Sequence, residues 1–120
     1  MASRIMVIDD EQIVGDMARM SLEKDGYYVE TFLSGDSALE RLKTERFDVV
    51  VTDYKMKGSD GMEVLRTVKK THPDTKVIMI TAFANLDTAI EALRESVHDF
   101  FPKPVKLKEL KFSIKRAIEK

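Results

Sequence analysis

Short apolar segments alternate with amphipathic segments along the whole chain. The apolar segments predict strands at Ile5–Ile8, Tyr28–Phe32, Val49–Thr52, a run that ends at Thr81, and Asp99–Phe101. The first, third and fourth of these are almost continuously apolar, which is typical of strands buried on both faces. Strands that alternate with helices predict an α/β domain, with a mostly parallel sheet and helices on both of its faces.

The amphipathic segments predict five helices, over about 12–24, 35–44, 61–71, 85–95 and 105–120. Ser34 is the predicted N-cap of the second helix, and Gly26 ends the first. Helical spacing gives the side of each helix that is expected to face the core. These inward residues are Ile13, Met17, Met20 and Leu22; Ala38, Leu39 and Leu42; Met62, Leu65 and Val68; Leu86, Ala89, Ile90 and Leu93; and Leu107, Leu110, Ile114 and Ala117 or Ile118. Met17, Met20, Met62 and Met79 are expected to fill the core.

Size and composition narrow the class of protein. The 120 residues contain no internal linker, so residues 1–120 are predicted to form one domain, either complete or cut from a longer protein. The absence of cysteine excludes disulfide and thiol chemistry and fits a reducing cytoplasm. A net charge of -1 gives no general attraction to nucleic acid or anionic membranes. No apolar stretch is long enough to span a bilayer.

Polar residues follow four of the predicted strands. Asp9-Asp10 follows the first strand, Asp53 the third, Thr81 the fourth and Lys103 the fifth. The carboxyl ends of parallel strands lie along one edge of a sheet, and ligands of open α/β sheets bind outside that edge. We therefore predict one site that contains three carboxylates, a hydroxyl and an ammonium group.

The chemistry of such a site favours a divalent cation and a phosphoryl group. Adjacent carboxylates repel one another, and hard oxygen ligands suit Mg²⁺. Asp53 could be a metal ligand, a nucleophile that forms an aspartyl phosphate, or both. Lys103 and Mg²⁺ could neutralise the phosphoryl oxygens while the Thr81 hydroxyl donates a hydrogen bond to them. The simpler interpretation, in which Asp9 or Asp10 caps the first helix, leaves Asp53 and Lys103 unexplained.

This ordered set resembles the receiver domain of bacterial two-component response regulators over the whole chain. The residues that carry the resemblance are Asp9-Asp10, Asp53, Met56, Asp60-Gly61, Thr81-Ala82 and Lys103-Pro104. Segments 81–92 and 99–104 look most like receivers of the nitrogen-regulatory class, which usually precede an ATPase domain and a DNA-binding domain.

The resemblance implies a flavodoxin-like (βα)5 fold with strand order 2-1-3-4-5. It implies that Asp53 accepts a phosphoryl group from a sensor histidine kinase or a phosphotransfer protein. Asp10, Asp53 and the Lys55 carbonyl would bind Mg²⁺ directly, and Asp9 through water. Such a domain assists its own phosphorylation and dephosphorylation and is not a turnover enzyme. The Lys103–Pro104 bond is a candidate for a cis peptide, since cis bonds in proteins almost always precede proline.

The resemblance also implies a switch. Thr81 would move toward the phosphoryl group, Phe100 would rotate inward, and the surface formed by the fourth helix, fifth strand and fifth helix would change. That surface could form a homodimer or control an output domain. The last helix is basic; we interpret this as a solvated face, with a dimer or kinase contact as the alternative.

Several residues depart from the family pattern. Phe100 lacks the hydroxyl of the tyrosine that is frequent there, Lys57 stands where proline is usual, and Ser96-Val97 replaces a usual Gly-Ala pair. Lys55 and Phe83 flank the expected path of the attacking water, and we hypothesise that they tune the lifetime of the phosphoryl group.

Three other functions compete with a working receiver. A dehalogenase-like phosphatase needs a second aspartate two residues past its nucleophile, where this chain has Lys55. A flavodoxin-like FMN carrier needs a phosphate loop rich in hydroxyls and amides, whereas Asp9-Asp10-Glu11 would repel phosphate. A degenerate receiver that serves only as a protein-binding module would lack some of the site residues, all of which are present.

Overall fold

The computed structural model describes residues 2–56, 58–82 and 84–119. The strands are β1 (Arg4–Ile8), β2 (Tyr28–Phe32), β3 (Val49–Asp53), β4 (Lys76–Thr81) and β5 (Asp99–Pro102). The helices are α1 (Gln12–Lys24), α2 (Gly35–Leu42), α3 (Gly61–Thr71), α4 (Leu86–Arg94) and α5 (Leu107–Ile118). Within this part of the chain, no helix is both long and apolar enough to cross a membrane.

All pairings in the sheet are parallel, and the strand order is β2-β1-β3-β4-β5. The α/β class and the strand order expected from the resemblance are therefore confirmed. The order reverses direction between β1 and β3, which is the point where open sheets of this kind form a crevice at their carboxyl edge. Ile8 is in register with Thr52, so the residues that follow the two strands emerge side by side.

The core consists of two apolar layers, one on each face of the sheet. Alternate strand residues point to opposite faces, so Met6 and Ile8 pack with α2 and α3 while Ile5 and Val7 pack with α1 and α5. Phe47, which precedes β3, is fully buried in the first of these layers. Burial on both faces explains why the strands read as nearly continuous apolar runs.

The predicted inward face of α1 is mostly wrong. Ile13, Met17 and Met20 are 74%, 66% and 58% exposed. The buried face instead consists of Gly15, Ala18 and Leu22. The methyl group that an alanine would have at position 15 would lie 3.6 Å from Thr31 Cβ, so small residues let this helix lie close to the sheet. Met17 and Met20 therefore do not fill the core, whereas Met62 and Met79 do.

The predicted inward face of α4 is wrong in the same way. Leu86 and Leu93 are 74% and 67% exposed, Ile90 is also exposed, and the residue that packs into the core is Ala92. In α5, Leu110, Ile114 and Ala117 are buried as predicted, but Leu107 is exposed. Both helices therefore carry large apolar side chains that face outward.

The boundaries of the helices follow local chemistry. The Ser34 hydroxyl accepts a hydrogen bond from the Ser37 amide and caps α2, as predicted. That helix ends at Leu42, two residues before the predicted end. The last helix begins at Leu107 and not at Val105, and the Lys103–Pro104 peptide bond that precedes it is cis.

A serine closes α4 in a conformation that favours glycine. Ser96 has a φ of 64°, its amide donates to Leu93 O at 3.1 Å, and the Val97 amide donates to Ala92 O at 3.1 Å. This pair of bonds is a Schellman motif, which usually has glycine at the position of Ser96. The turn that the family builds with Gly-Ala is therefore kept here by Ser96-Val97.

Candidate functional site

The polar residues singled out in the sequence lie together at the carboxyl edge of the sheet. Asp53 ends β3, Thr81 ends β4, Asp9 follows β1 and Lys103 follows β5. The Lys103 amide donates to Thr81 O at 2.8 Å, which ties the residue to the end of β4. Parallel pairing thus brings side chains together that are up to 94 residues apart in sequence.

The Lys103 ammonium group lies between two buried carboxylates. Its Nζ donates to Asp53 Oδ2 at 2.7 Å and to Asp9 Oδ2 at 2.9 Å. Glu11 Oε1 lies 3.7 Å away. Asp9 and Asp53 are almost wholly shielded from solvent, so these charge-assisted hydrogen bonds act in a medium that screens them weakly.

For both Asp53 and Lys103, burial and the hydrogen bonds between them shift the pKa in opposite directions. Burial raises the pKa of Asp53, and the hydrogen bond and positive charge of Lys103 only partly oppose that rise. For Lys103, burial alone would lower the pKa, but the hydrogen bonds to Asp53 and Asp9 outweigh it and raise the pKa. Lys103 therefore stays protonated, while the Asp53 carboxylate is held in a less favourable, more basic state than an exposed carboxylate.

Asp9, Asp10 and Asp53 form a group that fits a divalent cation. One oxygen from each of the three lies within 4.8 Å of the others. Asp10 is exposed whereas Asp9 and Asp53 are buried, so the group opens toward solvent on one side. The Lys103 ammonium group bonds to two of the three carboxylates, and hard oxygen donors with room for water suit Mg²⁺.

Neither aspartate caps α1. The N-cap of that helix is Glu11, whose side chain makes no capping hydrogen bond. Asp9 Oδ1 accepts from the Glu11 amide at 2.9 Å, a local turn that fixes the carboxylate outside the helix. The simpler interpretation of the acidic pair as a helix cap is therefore wrong.

The loop from Tyr54 to Asp60, here called the β3–α3 loop, borders the acidic group. The Lys55 amide lies 3.4 Å from Asp53 Oδ1, and Lys55 and Met56 line the cleft above Asp53. At the base of the loop, the Gly61 amide donates to Tyr54 O at 2.8 Å. A Cβ at position 61 would lie 2.8 Å from Tyr54 Cα and would overlap the Asp53 carbonyl oxygen, so only glycine fits there.

The two predicted switch residues, Thr81 and Phe100, lie on the neighbouring strands β4 and β5. Thr81 is fully buried at the end of β4, and Ala82 lines the same cleft as Lys103. Phe100 is half-buried and packs against the core layer of α2, α3 and α4. Phe83, for which we predicted an effect on phosphoryl lifetime, lies outside the described residues, as does Lys57.

Two neighbours of the site were not predicted from the sequence. Glu11 adds a carboxylate within reach of Lys103, and the acidic run Asp9-Asp10-Glu11 was the signal that could have indicated it. The Tyr54 hydroxyl donates to Glu91 Oε1 at 3.2 Å, which links the residue after Asp53 to α4. No pattern in the sequence indicates that second contact, because it joins residues 37 positions apart.

Comparison of the sequence with known proteins gives one family. The model of the response regulator receiver domain matches residues 5–115. The chain is 33% identical to the nitrogen assimilation regulatory protein NtrX of Azorhizobium caulinodans, over 99% of the chain and 27% of that protein. It is 34% identical to the DNA-binding transcriptional regulator NtrC of Klebsiella pneumoniae, over 93% of the chain and 24% of that protein. The response regulator MprA of Mycobacterium ulcerans is 36% identical over 92% of the chain and 47% of its own length.

Solved structures agree with this result. A CheY-like receiver domain protein from Methanospirillum hungatei superposes with a TM-score of 0.94 at 29% identity, over 98% of this chain and 94% of that one. The beryllofluoride-activated receiver domain dimer of NtrC4 superposes with a TM-score of 0.90 at 31% identity, over 96% and 95% of the two chains. The chain spans about a quarter of the length of NtrX and NtrC, so it corresponds to one part of those proteins.

Proposed function

This chain belongs to the response regulator receiver domain family of two-component signal transduction, and from that membership we propose that Asp53 is its phosphoacceptor. The observation that carries the proposal is the position of the Asp53 carboxylate, 2.7 Å from the Lys103 ammonium and beside Asp9 and Asp10 at the open edge of the sheet. The donor would be a phosphohistidine of a sensor kinase or a phosphotransfer protein.

We propose that Mg²⁺ is the cofactor. Asp10, Asp53 and the Lys55 carbonyl would bind it directly, and Asp9 through water. The spacing of the three carboxylates supports this assignment. When bound, the ion would neutralise the phosphoryl oxygens that Lys103 does not reach.

The reaction requires little beyond positioning and charge. An Asp53 oxygen attacks phosphorus in line with the bond to the donor nitrogen, and that bond breaks with its electron pair staying on the imidazole. Lys103 remains protonated throughout and stabilises the charge on the transferred group, as its raised pKa allows. The Thr81 hydroxyl would donate a hydrogen bond to a phosphoryl oxygen once it moves toward the site.

The proposed readout is a change in the surface of α4, β5 and α5. Thr81 would move toward the phosphoryl group, and Phe100 would turn further into the space behind it. Exposed apolar side chains of α4, Leu86 and Leu93, together with the exposed Phe112 of α5, support this surface as a contact for a partner. The partner would be a second copy of this chain or an output domain, either an ATPase or a DNA-binding domain. We propose no direct binding of nucleic acid by this domain.

Two further features belong to the same proposal. The domain would assist its own phosphorylation and dephosphorylation in the cytoplasm without acting as a turnover enzyme. Lys55, which is exposed beside the cleft, and Phe83 would tune the lifetime of the phosphoryl group. If Lys55→Ala and Phe83→Ala both leave the dephosphorylation rate unchanged, their proposed role is wrong.

The proposed function is tested by intact mass after incubation with acetyl phosphate, with and without Mg²⁺. We expect one added phosphoryl group that requires both Mg²⁺ and Asp53, so that Asp53→Asn abolishes it. Asp74→Asn, an exposed aspartate before β4 at the opposite edge of the sheet, is the matched control and should react like the wild type. An adduct that survives Asp53→Asn would contradict the assignment, and steady turnover of the donor would instead indicate a phosphatase.

A further inference from the structure

The first turn of α2 contacts the β3–α3 loop, although it contributes no residue to the acidic group. We propose that this turn, through Gly35 and Asp36, holds the loop in the conformation that presents the Lys55 carbonyl to Mg²⁺. Asp36 is then a positioning residue for the metal site. This inference rests on the proposed function, because it concerns the same Mg²⁺.

Gly35 allows the backbones of α2 and the loop to approach each other closely. A Cβ at position 35 would lie 2.9 Å from the Ser59 carbonyl carbon and would overlap its oxygen. These are backbone atoms that cannot turn aside as a flexible side chain could. The close approach is therefore possible only with glycine at position 35.

Asp36 holds the loop by hydrogen bonds. The Ser59 amide donates to Asp36 Oδ1 at 3.2 Å, and the Ser59 hydroxyl donates to the same oxygen. Gly58, the preceding residue, has a φ of 74°, and its Cα faces the Asp36 carboxylate so closely that a Cβ there would collide with it. One carboxylate thus accepts two hydrogen bonds from a residue of the loop and faces the glycine turn before it.

The base of the loop is held separately. The Gly61 amide bonds to Tyr54 O, and Asp60 caps α3 by accepting from the Glu63 amide at 2.9 Å. Lys55 lies between the fixed base and the contact with α2. The sequence from 54 to 60 contains no proline, so no residue in it has its φ locked by a ring.

Loss of the Asp36 contact should therefore act on metal binding. A looser loop presents the Lys55 carbonyl in the correct place for a smaller fraction of the time, and the apparent affinity falls by that fraction. Saturating Mg²⁺ then restores the bound conformation. The effect should appear in the Mg²⁺ dissociation constant and not in the rate of phosphoryl transfer at saturation.

The experiment measures the Mg²⁺ dissociation constant by titration calorimetry and the phosphorylation rate with acetyl phosphate at saturating Mg²⁺. For Asp36→Ala we expect the dissociation constant to rise about 10-fold, the lower end of the effect that loss of a residue orienting a metal ligand produces. The rate at saturation should stay close to wild type. Asp36→Asn keeps an oxygen that can accept from Ser59, so it should restore most of the affinity.

The matched control is Glu40→Ala, which removes an exposed acidic residue from the same helix that pairs with Lys43 and not with the loop. It should bind Mg²⁺ like the wild type. Unchanged affinity in Asp36→Ala overturns the inference while leaving the proposed function intact. A fall in saturated rate and in thermal stability along with affinity would also overturn it, because it would show a general structural role. If the wild type binds no Mg²⁺ and takes no phosphoryl group, the proposed function fails and this inference with it.

Discussion

The hydroxyl of Tyr54 is hydrogen-bonded to Glu91 on α4, with 3.2 Å between Tyr54 Oη and Glu91 Oε1. Arg66 on α3 extends this contact, with its guanidinium 3.6 Å from Glu91 and 3.4 Å from Glu95. The residue that follows the proposed phosphoacceptor is thus joined directly to the helix whose outer face is apolar and exposed. A movement at the end of β3 would reach α4 through a single side chain.

Tyr54→Phe should loosen α4 without unfolding the domain. Net hydrogen bonds of this kind contribute about 0.5–1.5 kcal/mol, and this one is half-exposed, so the loss of unfolding free energy in urea should lie at the lower end of that range. Hydrogen exchange of the α4 amides should become faster, while exchange in α1 stays the same. Tyr27→Phe, which removes the hydroxyl of a tyrosine that packs against the other core layer, is the control, and equal effects of the two variants on α4 would contradict the link.

Ser96→Gly should stabilise the domain. Ser96 has the left-handed backbone conformation at the end of α4, which costs a residue with a side chain about 1 kcal/mol relative to glycine. Urea unfolding should therefore show a gain approaching that size. The same change inside a helix, Ser21→Gly in α1, should be destabilising, by less than the roughly 0.5–1 kcal/mol that separates glycine from alanine in a helix. Two changes of the same sign would contradict the reading of the Schellman motif.

Mg²⁺ should stabilise the folded domain, and Asp10 should be needed for much of that effect. A ligand that binds only the folded state at about 100 times its dissociation constant adds about 2.7 kcal/mol. Asp10→Asn should reduce this gain, yet it should be slightly more stable than the wild type in EDTA, because one of three clustered carboxylates loses its charge. Thermal unfolding with Mg²⁺ and with EDTA measures both effects. A variant that is less stable in EDTA would argue against repulsion within the group.

The Asp53 carboxylate should become protonated at a higher pH than the carboxylate of an ordinary aspartate. Burial raises the pKa of Asp53 above its ordinary value of 3.8, so the folded carboxyl binds a proton more readily than the unfolded one. Protonation of Asp53 therefore adds to the free energy of unfolding below pH 3.8. This contribution is lost as the pH rises through the pKa of Asp53 in the folded protein. In EDTA, the unfolding free energy of the wild type relative to Asp53→Asn should fall over that interval.

The same shift should appear in a direct titration. Carboxyl carbon NMR of metal-free protein should give a raised pKa for Asp53. The variant Lys103→Met should raise this pKa further, because in the wild type the ammonium group opposes the effect of burial. An unchanged pKa in Lys103→Met would show that the pairing across the 2.7 Å contact is weaker than its geometry indicates.

The apolar side chains on the outside of α4 should contribute to association and not to folding. Leu93→Ser should change the unfolding free energy by less than about 0.5 kcal/mol, as exposed substitutions usually do. Leu65→Ala, in the core face of α3, should cost about 2–5 kcal/mol. After phosphorylation, size-exclusion chromatography should show weaker self-association for Leu93→Ser if α4 forms the dimer contact. A large loss of stability in Leu93→Ser would contradict its exposed position.

The sequence was sufficient for the sheet and for the site because both follow from strand ends. The apolar runs marked the strands, and residues such as Asp53 and Lys103 could meet only if the strands are parallel. The inner faces of α1 and α4 could not be predicted in the same way. Hydrophobicity indicated Met17 and Leu93, but the sheet accepts the smaller Ala18 and Ala92, since a helix that lies close to a sheet leaves little room for side chains.

Side-chain contacts between residues that are distant in sequence were also not predicted. Asp36 and Ser59 are 23 residues apart, and neither position carries a hydrophobic signal or a strand end. Gly35 could be placed at a helix start, but its tight approach to Ser59 depends on how α2 and the β3–α3 loop pack. Such contacts require coordinates because the sequence records which groups can form hydrogen bonds, but not which of them meet.

The order of the strands along the chain also sets the order in which the residues of the site are synthesised. The three aspartates lie in the first 53 residues, whereas Lys103 follows β5, the last strand of the sheet along the chain. A nascent chain can therefore pair β1 with β3 and bring its carboxylates together before Lys103, whose ammonium group bonds to Asp9 and Asp53, has left the ribosome. Arrival of the last strand then does two things at once: it covers the β4 edge and supplies the missing positive charge. A chain that ends before β5 would have an open β4 edge that can pair with other chains, and its acidic group would lack the Lys103 ammonium.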